Sequence, residues 1–141
     1  MSEANPERKK TGVIVISHGD AALDMVAAAE RMVGRLDVEV IAVQVGEARA
    51  ITENRLENAC QILHSEDVLF LVDLEGSTPY NLCCSHCGGQ SVVLSGMNLP
   101  MLFKLATADR MHGALVLAEE LRTTALKSIH IGPGPRPTNG S

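Results

Sequence analysis

VIVISHGD, from Val13 to Asp20, decides how the rest of the chain is read. Val13 to Ile16 are β-branched without a break, and Ser17 continues the run. A strand with no polar alternation is one buried on both faces, which is the habit of parallel sheets. His18 and Gly19 then turn the chain, and Asp20 can cap a helix. In that helix Ala22, Met25, Val26, Ala29, Met32 and Val33 recur at helical spacing, and Gly34 stops it.

The same unit recurs outward from this stretch. Val38 to Val43 (VEVIAV) reads as a second strand. After Gly46 comes a helix with Ala48, Ile51, Leu56, Ala59 and Leu63 as its apolar stripe. Val68 to Val72 (VLFLV) is a third strand. Thr78 is read as an N-cap with Pro79 at the first helical position, and Gly88-Gly89 ends that short helix. Ser91 to Leu94 forms a fourth strand, Asn98 and Pro100 open another helix, and a further helix runs from about Arg110 to Thr123. Ala125 to Ile131 (ALKSIHI) alternates and is expected to be an antiparallel strand at a sheet edge. The order βαβαβαβααβ predicts an α/β fold. Its core is an open, mostly parallel sheet ordered 2-1-3-4, with helices on both faces. The expected domain covers residues 11–131. Residues 1–10 form a polar tip, and the Gly/Pro-rich residues 132–141 form an unpacked tail.

Composition narrows the function. Apolar residues make up 45% of the 141, whereas aromatics make up 2%, so the core is aliphatic and no base-stacking surface is available. A formal net charge of -5 disfavours nucleic-acid and anionic-membrane binding. No apolar run is long enough to span a bilayer, and the N-terminal residues lack the apolar core of a signal peptide, so a cytoplasmic location is expected. Four cysteines, Cys60, Cys83, Cys84 and Cys87, do not look like a secreted disulfide framework. Cys83 and Cys87 would share a helix face, but one CxxC without a second pair does not make a zinc site. No metal and no cofactor is expected. His64, His112 and His130 have neither a strand-end position nor an acidic partner legible in the sequence.

In a sheet of this order the crevice lies past the carboxyl ends of the first and third strands. Those strands end in His18 and Asp73. A neutral imidazole has one nitrogen lone pair free to act as a nucleophile. A carboxylate on its other nitrogen fixes the tautomer and steadies the imidazolium that forms. Gly76, Ser77 and Thr78 then supply backbone N–H groups at a helix N-terminus, a natural cradle for an anion, and Thr78 adds a hydroxyl. Gly19 leaves the space beside the imidazole open. Nucleophile, orienting acid and anion donors together fit phosphoryl transfer. The GxxxxGK[ST] pattern of a nucleotide-binding P-loop is absent.

The combination VIVISHGD, VLFLVDLEGSTPYN and VVLSGMNLPML resembles the mannose-family enzyme IIA domain of the bacterial sugar phosphotransferase system. The matching residues are His18-Gly19, Asp73, Gly76-Ser77-Thr78-Pro79 with Asn81, and Gly96-Met97-Asn98-Leu99-Pro100-Met101. The resemblance implies a phosphocarrier phosphorylated on His18 Nε2 by the carrier protein HPr, with Asp73 holding Nδ1. It implies an enzyme IIB domain as acceptor, supporting roles for Asn81, Asn98, Pro100 and Met101, and a homodimer that exchanges its last strand. Ser77 stands where the family usually has a second glycine, and Glu75 where it usually has an apolar or aromatic residue. Glu75 would bring negative charge near an incoming phosphoryl group unless it points away. Two other readings stay open: the phosphotransfer subunit serving dihydroxyacetone kinase, and a regulatory or dimerisation module that keeps the fold without the transfer.

Overall fold

A computed structural model describes residues 10–64, 67–86 and 88–134. Four strands, β1 (Gly12–His18), β2 (Glu39–Val43), β3 (Val68–Val72) and β4 (Val92–Ser95), form one sheet in the order β2-β1-β3-β4. All three pairings are parallel, and Ile16 lies opposite Ile41 on one side and Val72 on the other. The helices are α1 (Ala21–Val33), α2 (Arg49–Leu63), α3 (Thr78–Ser85), α4 (Leu99–Leu105) and α5 (Ala114–Lys127). This is the predicted α/β sheet, in the predicted order.

The unbroken apolar runs of β1 and β3 are explained by helices on both faces. Val13 and Val15 of β1, with Leu69 and Leu71 of β3, pack under α1, α4 and α5. Ile14 and Ile16, with Val68, Phe70 and Val72, pack under α2 and α3. Every residue of β3 is buried. Burial of each such side chain contributes about 1.5–3 kcal/mol, so the two central strands carry much of the core's stability.

Several local expectations are corrected. Residues 125–127 belong to the last turn of α5, and residues 128–131 form no strand. Ala114, Leu117, Ala118, Leu121 and Ala125 are all buried along one stripe, so the helical period outlasts the alternation that suggested a strand. The same helix starts at Ala114 rather than near Arg110, after Gly113 with φ 98°. Ser77, not Thr78, is the N-cap of α3: its hydroxyl accepts from Tyr80 N at 3.3 Å. α3 ends at Ser85, ahead of Gly88-Gly89. Asp20 makes no side-chain cap; Ser17 Oγ instead accepts from Ala22 N at 2.7 Å. Met32 and Ile51, counted in apolar stripes, are 71% and 53% exposed. Gly34 does stop α1 (φ 88°), and Asn98 caps α4 through Met101 N at 3.1 Å. Residues 1–9 and 135–141 lie outside the described residues, as does Cys87, so the expectations for both chain ends and for a Cys83–Cys87 face rest on the sequence.

Candidate functional site

β1 and β3 are neighbours running in parallel, so the residues that end them meet at one edge of the sheet. His18 Nδ1 lies 3.0 Å from Asp73 Oδ2, and the His18 backbone N–H donates to the same oxygen at 3.0 Å. An ionised carboxylate can only accept, so Nδ1 carries a proton, and in the neutral imidazole Nε2 is the nitrogen with the lone pair. The His18 side chain is 51% exposed and that of Asp73 24%.

Burial by itself would push the Asp73 carboxyl up. The hydrogen bonds from the His18 backbone and imidazole, with the charge of the imidazole, outweigh it and hold the carboxyl below its ordinary value. The second oxygen, Oδ1, is buried and accepts no hydrogen bond among the described residues.

The turn that carries the imidazole is braced at several points. Ser17 Oγ, fully buried, donates to Gly19 O at 3.2 Å while it closes the start of α1. Gly19, with φ 54°, donates its N–H to Val43 O of β2 at 2.8 Å. Asp20 Oδ1 accepts from Gln44 Nε2 at 3.0 Å. Gly19 would meet nothing with an added Cβ, so its requirement is the left-handed backbone rather than space.

The turn after β3 has its own brace, Ser77 Oγ donating to Leu74 O at 2.7 Å. Within it the N–H groups of Gly76, Ser77 and Thr78 donate to nothing among the described residues, whereas those of Tyr80 and Asn81 are taken up by Ser77. The Thr78 side chain is exposed and likewise unengaged among the described residues. The expected anion cradle thus reduces to three amides and one hydroxyl. Glu75 is exposed and forms no ion pair among the described residues.

The remaining sequence candidates have structural work. Asn98 caps α4, Pro100 sits in its first turn, and Met101 is buried under α1 and α5. Asn81 is exposed on α3. Cys60 and Cys83 pack in the core on the α2/α3 face, and Cys84 is exposed. No cluster of three His, Cys, Asp or Glu suited to a metal occurs among the described residues.

Sequence reasoning passed over Ser17, Gln44 and Glu47. Ser17 had one signal, a hydroxyl ending a run of β-branched residues. Gln44 and Glu47 had none: Asp20 reaches Gln44 only through the sheet order, and Thr52 and Arg55 meet Glu47 from the next helix at no motif spacing.

Comparison with known proteins fits this geometry. The family model for the PTS system fructose IIA component, EIIA-man, matches residues 12–121. YadI of Escherichia coli strain K12, a candidate phosphotransferase enzyme IIA component, is 32% identical over 98 residues. That match spans 64% of this chain and 65% of YadI's length. The mannose/sorbose-specific IIA subunit of the phosphotransferase system from Enterococcus faecalis superposes with a TM-score of 0.78 at 26% identity, covering 92% of this chain and 100% of that one. The PTS IIA protein associated with the fucose utilization operon of Streptococcus pneumoniae gives 0.74 at 26% identity, over 86% and 93%. No described helix is long and apolar enough to cross a membrane. With the family match spanning most of the sheet and helices, and the strand-end His and Asp inside it, the chain belongs to the EIIA-man family of phosphotransferase system IIA components.

Proposed function

We propose that the chain is a cytoplasmic phosphocarrier that accepts a phosphoryl group on His18 and passes it to another protein in sugar uptake or its regulation. The observation that carries this reading is the His18 Nδ1–Asp73 Oδ2 contact of 3.0 Å, which leaves Nε2 as the free nitrogen of a half-exposed imidazole.

In the forward step the Nε2 lone pair forms the new N–P bond as the donor's bond to phosphorus breaks, and the electrons of that bond stay with the donor. Phosphohistidine then carries a positive imidazole, which the Asp73 carboxylate stabilises through the Nδ1 proton. Three free amides, Gly76, Ser77 and Thr78, with the Thr78 hydroxyl, are suited to the phosphoryl oxygens. The second transfer reverses these roles toward the acceptor. Family membership supports HPr as donor and an enzyme IIB domain as acceptor.

A homodimer is also proposed. β4 is an edge strand with half-buried Val92, Val93 and Leu94, and Ile129 and Ile131 beyond α5 are 73% and 101% exposed. An open edge and a stretch of stranded apolar residues are what a second copy would cover.

The test is incubation with enzyme I, HPr and phosphoenolpyruvate. One added phosphoryl group per chain, labile in acid and stable in base, is the expected product. Absence of label, with a known IIA labelled in parallel, overturns the reading and favours the regulatory module.

A further inference from the structure

The loop between β2 and α2 holds a partly buried carboxylate that the proposed transfer does not use. Gln44, Val45, Gly46 and Ala48 are all exposed, and Val45 is 103% exposed. The loop therefore puts no apolar side chain into the core, and a loop without such an anchor samples many conformations. Its one interior group is Glu47, whose side chain is 9% exposed.

Glu47 is fully engaged. Thr52 Oγ1 donates to its Oε2 at 2.6 Å, and the Gln44 backbone N–H donates to Oε1 at 3.2 Å. Arg55 donates one guanidinium nitrogen to the two oxygens at 3.1 and 3.3 Å, and to Ala42 O at 2.7 Å. The Thr52 hydroxyl above all holds the carboxyl below its ordinary range, against the opposing effect of burial. Taking a carboxylate out of water is costly unless it is fully paired, so a paired one on an otherwise unanchored loop fixes that loop's shape. Thr52 and Arg55 lie on α2, which is seated by Leu56 and Ala59 in the core. The loop is thereby referred to the rigid body of the protein.

The loop is in turn in contact with the turn that carries the imidazole. Gln44 Nε2 donates to Asp20 Oδ1 at 3.0 Å, next to the bond from Gly19 N to Val43 O at 2.8 Å. Asp20 does not cap α1, so its carboxylate is left to make this contact. His18 is held from the β3 side by Asp73 and from the β2 side by this chain of bonds.

We infer that Glu47 is a positioning residue for His18, acting through Gln44 and Asp20 on the turn from which the imidazole projects. The inference rests on the phosphocarrier reading for its consequence in catalysis, but its geometry can be tested without a phosphoryl donor. A displacement of reacting atoms by a fraction of an ångström to one ångström lowers transfer by roughly ten- to a hundredfold, which sets the expected scale.

Three variants decide it: Gln44→Ala, Glu47→Ala and Glu47→Gln. Each is read by thermal unfolding, by kcat and KM of phosphoryl transfer from HPr, and by the nitrogen-15 spectrum of the His18 imidazole in the unphosphorylated protein. Gln44 is exposed, so Gln44→Ala should unfold at the wild-type temperature while kcat falls roughly three- to tenfold, KM stays constant, and the imidazole signals shift or broaden. Glu47→Ala should do more, and Glu47→Gln, which keeps the side-chain length and one of the two acceptor oxygens, should recover part of the loss. Loss of thermal stability in the Glu47 variants, with kcat and the imidazole spectrum unchanged in all three, would overturn the inference and leave Glu47 as a loop staple only. If the wild type takes no phosphoryl group the proposed function fails by itself. The imidazole spectra of the three variants then decide the positioning separately.

Discussion

At the scale of single residues, the site turns on which nitrogen of His18 is free. His18→Ala should abolish acid-labile labelling. Changes at His64, His86, His112 or His130 should leave it intact, a comparison that mass spectrometry of the labelled protein makes directly. Asp73→Asn has no comfortable orientation. With its amide nitrogen at the Oδ2 position, two donors face the His18 N–H and Nδ1–H. With that nitrogen at the Oδ1 position, a donor is buried where the wild type has no partner. The variant should slow phosphoryl transfer by about 10²-fold or more, measured as rate per folded molecule. The pH dependence has a definite sign. The Asp73 carboxyl is depressed in the folded state, so what it contributes to stability is present above the ordinary carboxylate value and is lost as pH falls through the lowered one. The gap in urea unfolding between wild type and Asp73→Asn should therefore close as pH falls below about 4.

At the scale of elements, the end of the sheet opposite His18 is tied by polar side chains where chain crossings leave the core open. Asp67 enters β3. Its carboxylate accepts from Thr11 Oγ1 at 2.8 Å and from Ala114 N, the first residue of α5, at 2.9 Å. It thus serves as a cap borrowed from a distant segment, needed because Gly113 has no side chain to supply one. Asp67→Ala should cost about 1–3 kcal/mol in urea unfolding while leaving phosphoryl transfer per folded molecule unchanged. Arg110 does similar work: its guanidinium, in a residue 8% exposed, donates to Leu36 O and, at 2.9 Å, to Asp37 O. It joins the segment before β2 to the one before α5. The correction at α5 belongs to this scale too. Residues 125–131 read as a strand in the sequence, but Ala125 completes a buried helical stripe begun at Ala114, and burial against the sheet decides the conformation of residues 125–127.

At the scale of the whole molecule, β4 is one of the two edge strands of the sheet among the described residues, and the chain beyond α5 carries Ile129 and Ile131 in the open. If these surfaces meet in a dimer, truncation after Ser128 should keep α5 and the fold but give a monomer, whereas truncation after Gly134 should remain dimeric. Light scattering at tens of micromolar, with circular dichroism to check the helices, separates the two. A full-length protein that is monomeric at that concentration would remove the dimer from the proposal and leave the His18 chemistry as it stands.

The sequence determined by itself the parallel α/β architecture, because Val13–Ile16 and Val68–Val72 are apolar at every position and only a sheet covered on both faces can bury such runs. It also determined the pairing of His18 with Asp73, since both residues end strands that this sheet order makes neighbours. What it left open depends on contacts between distant segments. Ser77 and Thr78 both have the chemistry of a cap, and only the bend of the turn decided which hydroxyl faces Tyr80 N. Asp20, Gln44, Glu47 and Arg55 are four surface-type residues scattered over 36 positions, with no period to link them. The tertiary structure joins them, because the parallel pairing of β1 and β2 sets their loops side by side, and a carboxylate partly withdrawn from water there is held by a guanidinium and a hydroxyl that reach it from another element.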